Sequence, residues 1–554
     1  MKKVHLRLIS AAFLSVFVLA ACGGEDTGGD ENDNGNNGNG DSENGTSEGN
    51  GGTLIFARGG DSVSLDPPSV TDGESSRVTK QIFETLIEFE EDSFELSPGL
   101  ATNWEPSEDG LSYVFELREG VKFHDGTDFN AEAVKINFER WADPDHEYAF
   151  TDEGYNYSVY GTQFGGFAGD EDHVIEEINV LSDYEVEFVL NQPLGSFLQN
   201  MGMNYFAITS PAALEEFGSD INENPVGTGP FVFDNWTKNS TIELSKNEEY
   251  WDEGLPKLDG VTFTVVGDNS SRLSTLLSGG IDLMDGLSPD DIEQVNNTDG
   301  YEVYERVPNN VGYLGFNTEV EPFDDPLVRK AINHAINKED LITSVYGGQA
   351  TPATNAVPVD YLGHNNTVEE YEYDLDLAKE LLAEAGYEDG FDFDLWTMPV
   401  ARPYMPNPAR AAELIQAELS ELNINANIVE KEWAVYLEEI ELGHQDMFML
   451  GWSGVNGDPD YFLGSLLSTD GIPGSNQTFY SNSEVDALLD EARSTIDEEE
   501  RAALYEEAQV LIHEDAPMVP LVHSIPVLAG SDTISGYVPH PSTSESLKNV
   551  EITN

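Results

Sequence analysis

Cysteine is all but missing: Cys22 is the only one in 554 residues. No disulfide can close within such a chain, so whatever folds is held by its hydrophobic core. Positive charge is scarce as well, with 25 Lys and Arg against 105 Asp and Glu and a formal charge of -80. A surface that acidic repels phosphate backbones, which excludes a nucleic-acid partner. The same excess suits exposure to concentrated salt or alkaline medium, where screening blunts the self-repulsion. Catalytic signatures are missing too: there is no HExxH, no GKS or GKT phosphate loop, and no cysteine beyond Cys22 for nucleophilic work. The 10 histidines lack metal-ligand spacing, and His124 in Phe123-His124-Asp125-Gly126 reads as a turn residue. No catalytic residue, metal or cofactor is therefore expected. With 105 acids, counting carboxylates says nothing about a paired-carboxylate hydrolase. A secreted hydrolase stays as the alternative from another class, which turnover assays would expose.

What is present begins with an address. Lys2, Lys3 and Arg7 precede an apolar run from Leu8 to Ala21 that is too short for a stable spanning helix and fits a secretory signal. It ends in Leu19-Ala20-Ala21-Cys22, which resembles the bacterial lipoprotein box in which the cysteine is lipidated. Cys22 is the expected lipidation site, and an exported protein anchored on the outer face of the cytoplasmic membrane is the expected outcome. Residues 23–52 are almost wholly Gly, Asn, Asp, Glu, Ser and Thr, with no aromatic or branched aliphatic residue to offset the entropy of ordering. They read as a tether spanning about 30 Å root-mean-square. Asp30, Asn32, Asn34, Gly35 and Asp41 nearly match a calcium loop, but no amphipathic helix flanks them, and a solvated linker explains them.

Beyond the tether the chain is too long for one core, so two or three lobes are expected. Thr53 to Ala57 reads as a strand followed by a turn-rich loop, Arg58 to Pro67. Val78, Ile82, Phe83 and Leu86 follow at near-helical spacing, then alternating strands at 113–117 and 185–190. From about Asn310 the pattern is more regular. Val328, Ala331, Ile332, Ala335 and Ile336 share one helix face. Phe391, Phe393 and Leu395 alternate; Ala411, Leu414, Ile415, Leu419 and Leu422 line a helix; Ile424, Ala426 and Ile428 alternate again. This is a β-α-β unit. A second helix from Trp433 to Leu442, the apolar stretch Met447 to Leu450 and a third helix after Asp458-Pro459 extend it, predicting a largely parallel sheet.

Two loops leave strand ends, Val400 to Asn407 and Gly451 to Gly457, where open α/β sheets gather ligands. Both enter helices alike, with Asn407 or Asp458 as cap and Pro408 or Pro459 at the first helical position. Arg402 is either a cationic fork for a carboxylate or a surface arginine paired with one of the many acids. Trp452 is either a stacking wall or ordinary core. Asp458 reads more as a cap than as a ligand group.

The chain from 53 to 554 resembles bacterial family 5 extracellular solute-binding proteins, especially the dipeptide-binding ones. The likeness lies in LATNWEPSEDGLSYVFELREGVKFHDGT (100–127), NPVGTGPF (224–231), NVGYLGFNTEVEPFDDPLVRKAINHAINKEDLI (310–342), LWTMPVARPYMPN (395–407) and GWSGVNGDPDYF (451–462). It implies an α/β, two-lobed periplasmic-binding-protein-like fold of type II, with an inserted subdomain in the first lobe and a ligand cleft between lobes. The implied boundaries are a signal peptide at 1–22 and the linker at 23–52. Lobe I would cover 53–309 plus 526–554, its subdomain at about 85–220, and lobe II 310–525, with hinges near 308–312 and 522–527. The implied role is a non-enzymatic, monomeric receptor that delivers short peptides to the permease subunits of an ABC importer. Glutathione-like or other peptide-like solutes and metal chelates are the alternative cargo. The ligand-binding residues it implies are Arg402, for the terminal carboxylate, Tyr404, Trp452, Ser453, Gly454, Val455, Asn456 and Asp458. One departure matters: dipeptide binders read GWTGDNGDPD, with an aspartate for the ligand ammonium where this chain has Val455.

Overall fold

The computed structural model describes residues 51–70 and 72–553. The signal sequence, Cys22 and nearly all of the tether lie outside the described residues. Two large sheets organise the body. In the first, of seven strands, Thr53–Arg58 pairs in parallel with Gly260–Val265 on one side and with Leu283–Met284 on the other. Thr241–Lys246 and Phe231–Thr237 extend the sheet at one edge, and Val527–Ser531 and Tyr301–Glu305 extend it at the other. Leu54, Phe56 and Phe263 are fully buried here. The helix Gly73–Ile82 packs nearby, started by Asp72, whose carboxylate accepts from the Ser75 amide at 2.8 Å. The sequence periodicity runs on to Leu86, but the helix stops at Ile82, whose carbonyl, the acceptor a continued helix would offer the Leu86 amide, is taken at 2.8 Å by the Gly229 amide.

Between the first and later strands of that sheet the chain inserts a four-stranded antiparallel sheet, in the order Ala101–Pro106, Ser112–Leu117, Glu185–Leu190, Ile175–Ser182. The two strands read from the sequence are neighbours, Tyr113 opposite Phe188 and Phe115 opposite Val186. Helix Ala131–Ala142 covers the sheet with Phe138 and Trp141. Arg140 on that helix makes a fully buried two-pronged contact with Asp66, at 2.7 and 3.1 Å, which pins the insertion to the loop after the first strand.

The second large sheet has six strands, in the order Ala350–Pro352, Met518–Ser524, Asn310–Phe316, Met447–Ser453, Asp392–Thr397, Asn425–Glu430. The last three are mutually parallel, with Pro408–Ser420 as the crossover helix of the expected β-α-β unit. The other three pairings are antiparallel, so the sheet is mixed rather than largely parallel. The physical reason is the route of the chain. Asn310–Phe316 and Met518–Ser524 are the strands by which it enters and leaves this sheet, and neither belongs to a β-α-β repeat. The chain passes from Tyr301–Glu305 of the first sheet to Asn310–Phe316 through 306–309, and returns from Met518–Ser524 to Val527–Ser531 through 525–526. The Arg306 amide donates to the Pro526 carbonyl at 2.9 Å, which ties the two passages together.

Candidate functional site

Three adjacent parallel strands of the second sheet end on one rim, and their carboxyl ends release loops at 398–407, 431–432 and 454–459. In the first loop the backbone folds back on itself, Arg402 and Met405 exchanging amide-to-carbonyl bonds of 3.0 and 2.9 Å. Asn407 then caps the crossover helix, its side chain accepting from the Arg410 amide at 3.1 Å with Pro408 at the first helical position, as the sequence pattern predicts. Two outside hydroxyls hold the turn: Ser524 Oγ donates to the Pro403 carbonyl at 2.7 Å and Tyr346 Oη to the Tyr404 carbonyl at 2.9 Å.

The guanidinium of Arg402 lies 4.1 Å from the centroid of the Trp433 indole. Its Nε is buried with no hydrogen-bond partner, and no carboxylate among the described residues pairs with it. In a chain with 105 acids that is a selective vacancy of charge. A guanidinium held over a ring face spends no N–H donor on a competing carboxylate, and its fork can receive one through two donors. Tyr404 is seated against two glycines that face each other across neighbouring strands, Gly312 and Gly451. A Cβ on Gly451 would come within 2.3 Å of the Tyr404 ring, and one on Gly312 within 2.6 Å of its carbonyl oxygen. Burial pushes the Tyr404 hydroxyl up to about 12, with Arg402 opposing, so it stays protonated and able to donate.

The second loop divides its residues between different tasks. Adjacent strand residues face opposite sides of a sheet, so Trp452 sits on the side away from Tyr404. Its indole N–H donates to the Tyr461 carbonyl at 2.8 Å. Ser453 is exposed at the strand end. Gly454 is clamped: its amide donates to the Asn309 carbonyl and its carbonyl accepts from Asn309 Nδ2, both at 2.8 Å. Val455 is half-buried against the hydrophobic cluster of the inserted sheet. Asn456 donates through Nδ2 to Asn200 Oδ1 at 2.9 Å and accepts from the Asp458 amide at 3.1 Å. Asp458, expected among the ligand-contacting residues, has both oxygens engaged by Arg501, at 2.5 and 2.7 Å, and is 2% exposed. It is an internal anchor, and the helix starts two residues later at Asp460, whose amide Asp458 Oδ1 accepts at 3.0 Å.

Trp433 is legible in the sequence as the start of a helix but not as a residue of the site. It opens the helix after Asn425–Glu430, at the same rim as Arg402, and its place after the third parallel strand is the signal that would have found it. Of the residues named from the sequence, Val455 also lines a cavity of about 570 Å³ whose other walls come from 80–99, 202–205, 230–255 and 536–549. On that wall Glu84 accepts from Thr228 Oγ1 and Tyr250 Oη at 2.7 Å and from Trp251 Nε1 at 3.0 Å. Burial, with Glu88 beside it, raises its carboxyl to about 7. Among the described residues no group of three or more His, Cys, Asp or Glu is placed to hold a metal ion. No helix among them is long and apolar enough to cross a membrane.

The relatives of the chain share this plan. Residues 95–474 match the family described as bacterial extracellular solute-binding proteins, family 5 Middle. The chain is 36% identical to the heme-binding protein A of Haemophilus influenzae, over 88% of this chain and 90% of that one. It is 35% identical to the dipeptide-binding protein of Escherichia coli, over 90% and 94%. Among solved structures, the ABC transporter-associated periplasmic binding protein of Helicobacter pylori, in complex with the peptide STSA, superposes with a TM-score of 0.79 at 36% identity, over 91% of this chain and 99% of that one. The fold is the two-lobed one of periplasmic binding proteins, and the chain belongs to the family 5 bacterial extracellular solute-binding proteins.

Proposed function

We propose that this protein is the solute receptor of an ABC importer, that it binds short peptides, and that it does so without chemical turnover. The observation that carries the reading is Arg402: a guanidinium in an acid-rich chain with no acidic partner among the described residues, on a tight turn, over the Trp433 ring at 4.1 Å. That arrangement fits the terminal carboxylate of a peptide, oriented through two charge-assisted hydrogen bonds. The dipeptide-binding name of the Escherichia coli relative and the peptide held by the Helicobacter pylori structure support the same cargo. At the other end of the ligand Val455 offers no acceptor, and Asp458 is spent on Arg501. The favoured cargo therefore has an amino end that is blocked, absent, carried further by greater length or met by another acid, which brings glutathione-like solutes into the same site.

The passages at 306–309 and 525–526 serve as hinges between lobe I, 53–309 plus 526–554, and lobe II, 310–525. Ligand closes the cleft by adding contacts to the second lobe, and the closed form docks on the permease. A lipid on Cys22 holds the monomer at the outer face of the membrane, and ATP is hydrolysed by separate subunits.

Calorimetry with free and C-terminally amidated peptides tests the cargo, small-angle scattering tests closure, and mass spectrometry of the recovered ligand tests turnover. The expected result is binding of the free acids, compaction on saturation, and intact peptide. Equal binding of the amides, an unchanged radius or cleaved product would overturn the corresponding part. Fractionation of Cys22→Ala tests the anchor, which is wrong if the variant stays with membranes as fully as the parent.

A further inference from the structure

The loop that carries Val455 leaves a ligand's amino end without an acid of its own. Asp458 is bound by Arg501 and the Asn456 amide by Asn200. Val455 nevertheless borders the cavity of about 570 Å³, a volume in the usual range for small-molecule sites. Its lining carries carboxylates well in excess of its two lysines, Lys80 and Lys548. Lys80 is already paired with Glu88, and Glu91 accepts from Asn549. Glu90, Asp92 and Asp252 take no hydrogen bond or ion pair from another side chain among the described residues, so they leave a net negative charge facing the space. Aromatic rings share the wall, with Phe89, Tyr205 and His540 beside the pair Tyr250 and Trp251, although the Arg118 guanidinium already covers one face of Trp251 at 3.9 Å. Carboxylates with aromatic faces in one concave space are the combination that recognises organic cations.

We propose that this cavity receives a cationic group of the bound solute, an ammonium or a guanidinium that reaches past Val455, and so makes the protein selective for basic peptides. The inference rests on the peptide reading above, with the carboxyl end at Arg402. The cation comes from the ligand's amino terminus or from a lysine or arginine side chain near it. In either case the cavity acids replace the missing aspartate, and Val455, with no charge of its own, lets the chain pass.

The test is calorimetry on the full chain with four tripeptides: Lys-Ala-Ala, norleucine-Ala-Ala and the N-acetylated form of each. The side-chain and amino-terminal cations are thus removed separately and together. Against acetyl-norleucine-Ala-Ala, the peptides carrying the recognised cation should bind about tenfold tighter. In a Glu90→Gln, Asp252→Asn double variant that advantage should shrink to within about twofold, with the affinity of acetyl-norleucine-Ala-Ala unchanged. Glu90→Gln alone, at an exposed position, keeps the test available if the double variant folds poorly, and should remove part of the advantage. If all four peptides bind the parent equally, the proposal fails while the peptide reading stands. An advantage that persists in the variants places the cation elsewhere and also overturns it. If none of the four binds, the peptide reading falls and this inference falls with it.

Discussion

Asp458 and Arg501 meet in the interior as a two-pronged pair, carboxylate to guanidinium at 2.5 and 2.7 Å, with the two side chains 2% and 4% exposed. The pair joins the loop after Met447–Ser453 to the long helix Glu498–Asp515. Removing one partner leaves a buried charge without compensation, so Asp458→Ala should cost about 3 to 5 kcal/mol of unfolding free energy. Urea denaturation measures it. Asp458→Leu combined with Arg501→Met should recover much of that loss, since replacing both charges with apolar groups removes the penalty.

Arg402→Ala should weaken free peptides about a hundredfold, the loss of two charge-assisted hydrogen bonds, and leave C-terminally amidated peptides nearly unchanged. Trp433→Ala should cost less, about fivefold, because it removes the stacking and not the donors. Calorimetry on both ligand series separates the two effects.

Val455→Asp should restore an acceptor for a free amino end. Free dipeptides should then bind about tenfold tighter than to the parent, and N-acetylated ones should not gain. The same substitution should erase part of any preference for longer peptides, read by competition between di- and tetrapeptides.

Glu84 should make part of the stability depend on pH. The folded chain holds its proton up to about 7, against an ordinary value of 4.5, because burial and Glu88 disfavour the carboxylate. The folded state therefore binds more protons than the unfolded one between those limits. Stability from this group is complete below about pH 4.5 and is lost as pH rises through about 7. Glu84→Gln removes that dependence, so the stability of the variant relative to the parent should rise by about 3 kcal/mol between pH 4.5 and 7.5. Lys80, paired with Glu88, sets how strongly Glu88 acts. Urea titrations of both proteins across that range give the difference directly.

How much of this was legible depends on how far apart the partners lie. The β-α-β unit, the Asn407 cap and the two rim loops are written in neighbouring residues, and each is where the spacing puts it. The mixed character of the sheet was not legible. Asn310–Phe316 and Met518–Ser524 are buried on both faces, and an antiparallel strand buried on both faces has the same continuous apolar pattern as a parallel one. The pairing of Asp458 with Arg501 was not legible because the partner is 43 residues away on another element, and a capping motif looks the same whether or not an arginine arrives from elsewhere. Asn456 is a stronger case, its partner Asn200 being 256 residues distant. The cavity beside Val455 could not be foreseen, since its walls come from four separated stretches of chain.

Asn309 ends the first passage between the sheets, and its carboxamide is used from both ends. Nδ2 donates to the carbonyls of Gly454 and Pro541 at 2.8 Å, while Oδ1 accepts from Tyr361 Oη at 2.6 Å. The group is polar in a directional sense, and three chain segments are keyed to that direction. Hydrolysis of the amide to aspartate, the commonest spontaneous ageing of an asparagine, would exchange the two-proton donor for an oxygen facing two carbonyl oxygens. One atom would turn two attractions into repulsions at the junction where rim loop, C-terminal segment and passage meet. The chemical lifetime of a single side-chain amide thus bears on how long the receptor keeps its geometry outside the cell.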